Sequence, residues 1–154
     1  MSGVKKILLI LLMAFVAIQF IRPARNEDGQ DLATDFRKVL IVPEQIQLLM
    51  QNACYDCHSN HTAYPWYANI QPMGWLMADH IKKGKAALNL SDFGSKSKRR
   101  QISKLKQMAN QIKEDEMPLY SYKLMHKKAN LTKDEKNLII TWMNNTADSL
   151  ATTD

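Results

Sequence analysis

From Ile7 to Ile18 every residue is apolar, in the run ILLILLMAFVAI. Lys5 and Lys6 precede it, and Arg22 and Pro23 follow it. A helix with no polar face is not a surface helix of a globular domain, and basic flanks on both sides argue against a core helix. The layout is that of an export signal or a signal anchor. The run is short for a comfortable span and Gln19 interrupts it, but Ile7 to Ile21 would cross a thin bilayer with Lys and Arg snorkelling at the ends. A cleavable signal needs small residues one and three places before the cut. A cut after Ala24 puts Arg22 in the earlier place and a cut after Ala17 puts Phe15 there, so an uncleaved transmembrane anchor over residues 1–23 is expected.

A polar tether, residues 24–38, comes next. Beyond it the apolar positions recur at helical spacing. Pro43 at a first helical position, with Glu44 behind it, opens a helix that runs into Cys54 and turns Ile46, Leu49, Met50 and Ala53 to one side. Pro65 and Pro72 break the chain. A second helix spans 73–88 with Met73, Leu76, Met77, His80 and Ile81 inward. Ser91 or Asp92 can cap in the turn that follows. A long amphipathic helix spans 96–116 on Ile102, Leu105, Met108, Ala109 and Ile112, and Met117-Pro118 ends it. Residues 119–130 read as a loop or short helix. The last helix opens with a capping box, Thr132 and Glu135, and sends Leu138, Ile139, Trp142 and Met143 inward. No alternating β pattern and no repeat is visible. The expected fold is a small all-α domain of four or five helices over residues 39–150.

Composition agrees: of 154 residues, 45% are hydrophobic and 23% charged, a globular balance, and five glycines with five prolines leave little room for a turn-rich β fold. The formal net charge of +6 favours a partner of opposite sign. Lys82, Lys83, Lys85, Lys96, Lys98, Arg99, Arg100, Lys104 and Lys106 form a basic group that could dock an acidic redox partner, lie on anionic lipid, or simply be a solvated face. Nucleic acid is not expected as a partner of an exported domain.

The two cysteines of the chain lie three apart, in Cys54-Tyr55-Asp56-Cys57-His58. Three chemistries fit. A disulfide is common in exported chains, but a redox C-x-x-C prefers a helix N-terminus beside a βαβ pattern, and this pair follows a helix with no strand in sight. A structural zinc needs four ligands. Cys54, Cys57, His58 and His61 are available, but His58 adjoins Cys57 too closely for easy tetrahedral geometry. The third is C-x-x-C-H attachment of a c-type haem. Residues three apart on a helical turn face the same way, so both thiols reach the vinyl groups on one porphyrin edge and His58 meets the iron as proximal ligand. The adjacent histidine makes this reading preferred: one covalent haem c on Cys54 and Cys57.

The other face of the iron decides what such a haem does. Met117 is the expected distal ligand. It stands at a helix end, with Pro118 fixing the chain behind it, and a thioether is a soft metal ligand. His80, on the inward face of the second helix, is the alternative distal ligand or a hydrogen-bonded core histidine. His61 is too close to His58 to cross the haem plane easily. Met73, Met77, Met108 and Met143 sit in helical stripes and read as core. Trp66, Trp75, Trp142, Tyr64, Tyr67, Tyr120 and Tyr122 could line a haem pocket or simply pack, and donors near Pro65 could hold a haem propionate.

The body of the chain resembles the bacterial haem-binding domain family, small exported proteins similar in pattern to monohaem cytochromes c. The resemblance runs from about Val39 to Asn145. It is carried by CYDCHSNHTAYPWYANIQPMGWLMADHIKKGKAALNLSDF, EMPLYSYKLMH and LTKDEKNLIITWM, with an anchor ending near IQFIRP. The Ile139-to-Trp142 spacing is similar to the terminal helix of ordinary cytochromes c, whereas the first helix carries Ile46, Leu49 and Met50 in place of their glycine and aromatic. The resemblance implies covalent haem on Cys54 and Cys57, His58 as proximal ligand and Met117 as distal ligand. The expected function is single-electron transfer, without enzymatic activity, by a single-pass inner-membrane protein. Charge does not settle orientation, since Lys5 and Lys6 precede the apolar run while Arg22 and Arg25 follow it, and Glu27, Asp28 and Asp31 count for little. The haem domain is placed in the periplasm because haem c is attached outside the cytoplasm. A haem-based sensor or ligand binder, or a peroxidase-like enzyme with an open iron, is the alternative.

Overall fold

A computed structural model of the chain describes residues 2–29 and 32–152. Asp31, one of the acids after the apolar run, lies outside the described residues. Among the described residues there are eight α-helices, three short 3₁₀ turns and no β-strand, only an isolated bridge between Glu27 and His61. The all-α expectation holds. The helix number exceeds four or five because three single-turn or two-turn helices fill what read as loops.

The first helix, α1, runs Gly3–Ile18. Its large apolar side chains, from Val4 to Val16, are 46–66% exposed. At 1.5 Å per residue its 16 residues rise about 24 Å, against a hydrocarbon layer of about 30 Å. No helix among the described residues is long and apolar enough to cross a membrane. The single-pass crossing expected of the apolar run is therefore not supported by this helix. It stops where Gln19 turns sideways: the Gln19 amide donates to Gln71 O at 3.2 Å and its carbonyl oxygen accepts from Gln71 N at 2.9 Å. Trp75 Nε1 adds a 2.7 Å bond to Ile21 O.

The segment read as a tether is tied down. Asn26 is buried and donates to Ser59 O and Thr62 Oγ1 at 2.8 and 2.9 Å. Asp35 caps the short helix α2 (Phe36–Val39) by accepting from Arg37 N at 2.9 Å. Phe36 is fully buried, edge-on to Phe93 at 4.9 Å and to Trp142 at 5.8 Å.

Helix α3 (Glu44–Ala53) buries Ile46, Leu49 and Met50 as its stripe predicts. The single turn α4 is Tyr55–His58. Helix α5 covers Met73–Ala87, α6 covers Lys98–Lys113 and α7 covers Tyr120–Met125. Helix α8 is Lys133–Thr152, and its capping box is closed: Glu135 N donates to Thr132 Oγ1 at 3.2 Å and Thr132 N to Glu135 Oε2 at 2.7 Å. Helices α6 and α8 pack along one another, joining Leu105, Met108, Ala109 and Ile112 to Ile139, Met143 and Ala147 in one core with Phe36, Leu90 and Phe93. Burial of this continuous apolar surface is the main driving force for the fold.

Helix α5 departs from its predicted face. Met77 and Ile81 are buried, but Met73 is 38% and Leu76 45% exposed. Gly74 explains the rotation. A Cβ there would stand 2.6 Å from Ala68 O, so the Gly74–Met77–Ile81–Gly84 stripe lets α5 approach more closely than the stripe holding Met73 and Leu76 would.

Candidate functional site

Cys54 ends α3. Its N–H donates to Met50 O at 2.8 Å, and its own carbonyl accepts from Cys57 N at 3.2 Å and His58 N at 3.0 Å. Cys54 to His58 is thus one closed turn. Two further bonds orient the histidine. His58 O accepts from Leu90 N at 2.7 Å, and His58 Nδ1 lies 3.0 Å from Leu88 O. A carbonyl only accepts, so Nδ1 carries the hydrogen and Nε2 keeps its lone pair for a metal.

Helix α5 presses against this turn at Gly84, where a Cβ would stand 2.6 Å from Cys57 O. Any other side chain would push α5 off the motif.

The space beside the turn is a cavity of about 490 Å³, within the usual range for a cofactor site. Cys57, His58, His80 and Met117 all line it. Its apolar wall comes from Ala53, Ala87, Leu88, Met108, Ile112, Pro118 and Leu119. Its polar lining carries Asp79, Lys83, Lys104, Gln107 and Gln111. Lys83 Nζ pairs with Asp79 at 2.7 Å, and this hydrogen bond holds the Asp79 carboxyl below the ordinary carboxylate range. Lys104 donates to neutral Gln107 at 3.1 Å.

Cys54 does not line the cavity. It is half-buried and packed against the core, one residue from the lining Ala53. Both cysteines are free thiols. Burial pushes the Cys54 thiol up to about 12, with the Cys57 charge adding to it. Burial also pushes the Cys57 thiol up to about 11, helped by the Asp56 carboxylate. Neither is a thiolate at neutral pH, unlike the thiol of a redox C-x-x-C.

A larger cavity of about 1100 Å³ lies on the other side of the motif and holds neither Cys57 nor His58. His61 and His126 line it. The zinc candidates therefore face different spaces, and among the described residues no group of three or more His, Cys, Asp and Glu side chains could hold a metal ion. The smaller cavity is the one with the chemistry. Tyr122 lines both. Its hydroxyl donates to Asp56 Oδ2 at 2.6 Å and its ring stacks on His126 at 3.9 Å. Burial, then that carboxylate, pushes the phenol well above its ordinary range.

The family model for the haem-binding domain matches residues 13–145. The chain belongs to the haem-binding domain family. No curated protein and no solved structure matches this chain. The cofactor of this haem-binding domain is haem, and the smaller cavity has the donor chemistry for it: an imidazole nitrogen held free, a thioether, a second histidine and an apolar wall.

Of the aromatics considered as lining, Tyr122 alone reaches this cavity. Trp142 packs in the core against Phe36, while Trp66 and Tyr120 are exposed at 72% and 73%. The donors near Pro65 do not line it either; its cations come from Lys83 and Lys104. Two features went unread in the sequence. Gly84 had a signal, since a lone glycine inside a helical pattern usually has a packing reason. The Leu88 carbonyl had none, because it is a backbone atom.

Proposed function

We propose that this haem-binding domain carries one covalently attached haem c and passes single electrons, held at the outer face of the cytoplasmic membrane. One observation carries the reading: residues distant in sequence, Cys57, His58, His80 and Met117, converge on a single cavity. Cys54 and Cys57 would hold the haem covalently, each by addition of its S–H across one vinyl double bond, with sulfur on one carbon and hydrogen on the other. Cys57 lines the cavity, whereas Cys54 does not and would have to reach it past Ala53. His58, steered by Leu88 O, would hold the iron through Nε2. Met117, set by the turn that ends α6, would hold it from the cavity's other lining, with His80 as the competitor for that role. Haem iron held by two protein side chains would supply one-electron chemistry, the role of a carrier rather than an enzyme. Lys104, and Lys83 shared with Asp79, are the lining cations that would be available to haem carboxylates.

The membrane role rests on α1. A rod exposing apolar side chains from Val4 to Val16 has no stable place in water. Burial in lipid covers it whether or not the helix spans the whole layer. Attachment of haem c takes place outside the cytoplasm, and the domain faces that side. An acidic redox partner would meet the basic side chains around the cavity, although Lys83, Lys96 and Lys106 are engaged by Asp79, Asp92 and Asp148 at 2.7, 3.7 and 3.1 Å.

The test is the mass and the absorption spectrum of the protein matured in a host that attaches haem c. The expected result is one haem added, a low-spin iron and a sulfur-to-iron charge-transfer band that Met117→Ala abolishes. A band that survives Met117→Ala while His80→Ala alters the spectrum would reassign the distal ligand. A colourless protein with only its polypeptide mass would refute the covalent reading, and a high-spin iron would favour a sensor or peroxidase-like role.

A further inference from the structure

We infer that the haem-binding domain lies against the lipid surface through an apolar collar around the root of α1. This rests on α1 being lipid-bound, as proposed above. Trp66 is 72% exposed, Ile70 41%, Met73 38% and Leu76 45%. Phe20 and Ile21 add 83% and 62%. Single exposed apolar side chains are ordinary, but these flank one point along the chain on both of its bonded segments. That point is Gln71, itself only 1% exposed, whose backbone N–H and C=O are both bonded to the Gln19 side chain. The bond from Trp75 Nε1 to Ile21 O fixes the same junction. Helix α1 therefore leaves the domain from the middle of this patch, and lipid that covers α1 continues onto the collar.

The chemistry suits a membrane boundary rather than a second copy of the chain. An exposed indole at the edge of an apolar surface is the residue type enriched at lipid headgroup level. Exposed Arg22 and Arg25 line a small pocket with Asn69 and Gln71, and Arg25 is bonded to Asn69 Oδ1 at 2.6 Å and to Glu27 at 3.2 Å, which sets cations next to the same junction. The collar is also continuous with a helix that is apolar on every face, and only a solvent of lipid covers all faces at once.

The consequence is a fixed height for the cavity. Met73 opens α5 at the collar, and His80, Lys83, Gly84 and Ala87 line the cavity further along the same helix. At 1.5 Å per residue these positions lie within about 20 Å of the collar.

Photolabelling tests this. The haem-loaded full chain is placed in vesicles of phosphatidylcholine and phosphatidylglycerol doped with a phospholipid carrying a diazirine near the glycerol end of its acyl chain. After irradiation, adducts are mapped by mass spectrometry. The expected result is lipid adducts on α1 and on residues 66–76, the latter several-fold above those on Ile41 and Leu48, which are 96% and 58% exposed away from the collar sequence. Adducts on α1 with residues 66–76 no higher than Ile41 and Leu48 would overturn the collar and leave the lipid-bound helix standing. Absence of adducts on α1 would remove the membrane reading and the collar with it. Chain-to-chain adducts through residues 66–76 in place of lipid would overturn the collar in favour of a self-association surface.

Discussion

Replacing Gly84 by alanine isolates the contact that seats α5 on the C-x-x-C-H turn. The new Cβ would stand 2.6 Å from Cys57 O and 3.2 Å from both the Cys57 carbonyl carbon and Cβ. Two of those three atoms are backbone and cannot swing away, so either α5 or the motif turn has to move. Overpacking of this kind costs roughly 1–3 kcal/mol. Alanine in a helix interior returns about 1 kcal/mol over glycine. The net expectation is a loss of about 1 kcal/mol, which at a urea dependence of about 2 kcal/mol per molar moves the midpoint down by about 0.5 M. The displacement also reaches His58. Leu88 N donates to Gly84 O at 2.8 Å, and Leu88 O receives the His58 Nδ1 hydrogen at 3.0 Å. Moving Gly84 therefore moves the group that aims Nε2. Urea denaturation and the absorption spectrum of the haem-loaded variant measure both effects. A variant more stable than the parent by the full propensity gain, with an unchanged spectrum, would show that the close approach does not constrain the site.

Phe36→Ala should cost about 3–5 kcal/mol, as for a fully buried aromatic, and a thermal melt indifferent to it would return residues 24–38 to the status of a loose tether. Thr132→Ala removes one arm of the capping box and should cost about 1 kcal/mol in urea, with Thr132→Ser close to neutral. In the chain before haem attachment, the Cys54 and Cys57 thiols, raised to about 12 and about 11, should alkylate slowly at neutral pH and rapidly once unfolded. The linked stability has a definite sign: unfolding releases thiol protons above the ordinary value of about 8.5, so the unmodified chain should lose stability as pH rises from there through about 11 and 12. A flat profile across that window would mean the thiols are not shielded.

Much of this protein was legible from its sequence, and the failures have physical causes. Helices α3, α6 and α8 were read from their stripes because their inward residues face one contiguous core, except Leu138 of α8, expected inward but 37% exposed at the edge of that stripe. The C-x-x-C-H string is local, so its closed turn followed from spacing. The two thiols expected to face the same way do not share the cavity, which Cys57 lines and Cys54 does not, and the aim of His58 depends on the Leu88 carbonyl thirty residues away. Met117 and His80 were both named, and both line the cavity. Phe36 was missed because a single aromatic in a polar stretch has no periodicity. The outward turn of Met73 and Leu76 was missed because two glycines, invisible to an apolar pattern, set which face of α5 comes closest. Gln19 was read as an interruption of the apolar run, but its partner Gln71, fifty-two residues away, is contained in no local rule.

The hydrogen bonds around His58 bear on the order of biosynthesis. Phe36 N donates to Leu90 O at 2.9 Å, and Leu90 N donates to His58 O at 2.7 Å. The stretch before the motif and the stretch after α5 are thereby clasped across the histidine, with Cys54 against the core. Under the covalent reading, a ligase needs both thiols while this clasp is still open. Maturation would then be a race between haem ligation and closure of the fold, and substitutions that slow closure would raise the fraction of chains that leave the ligase loaded.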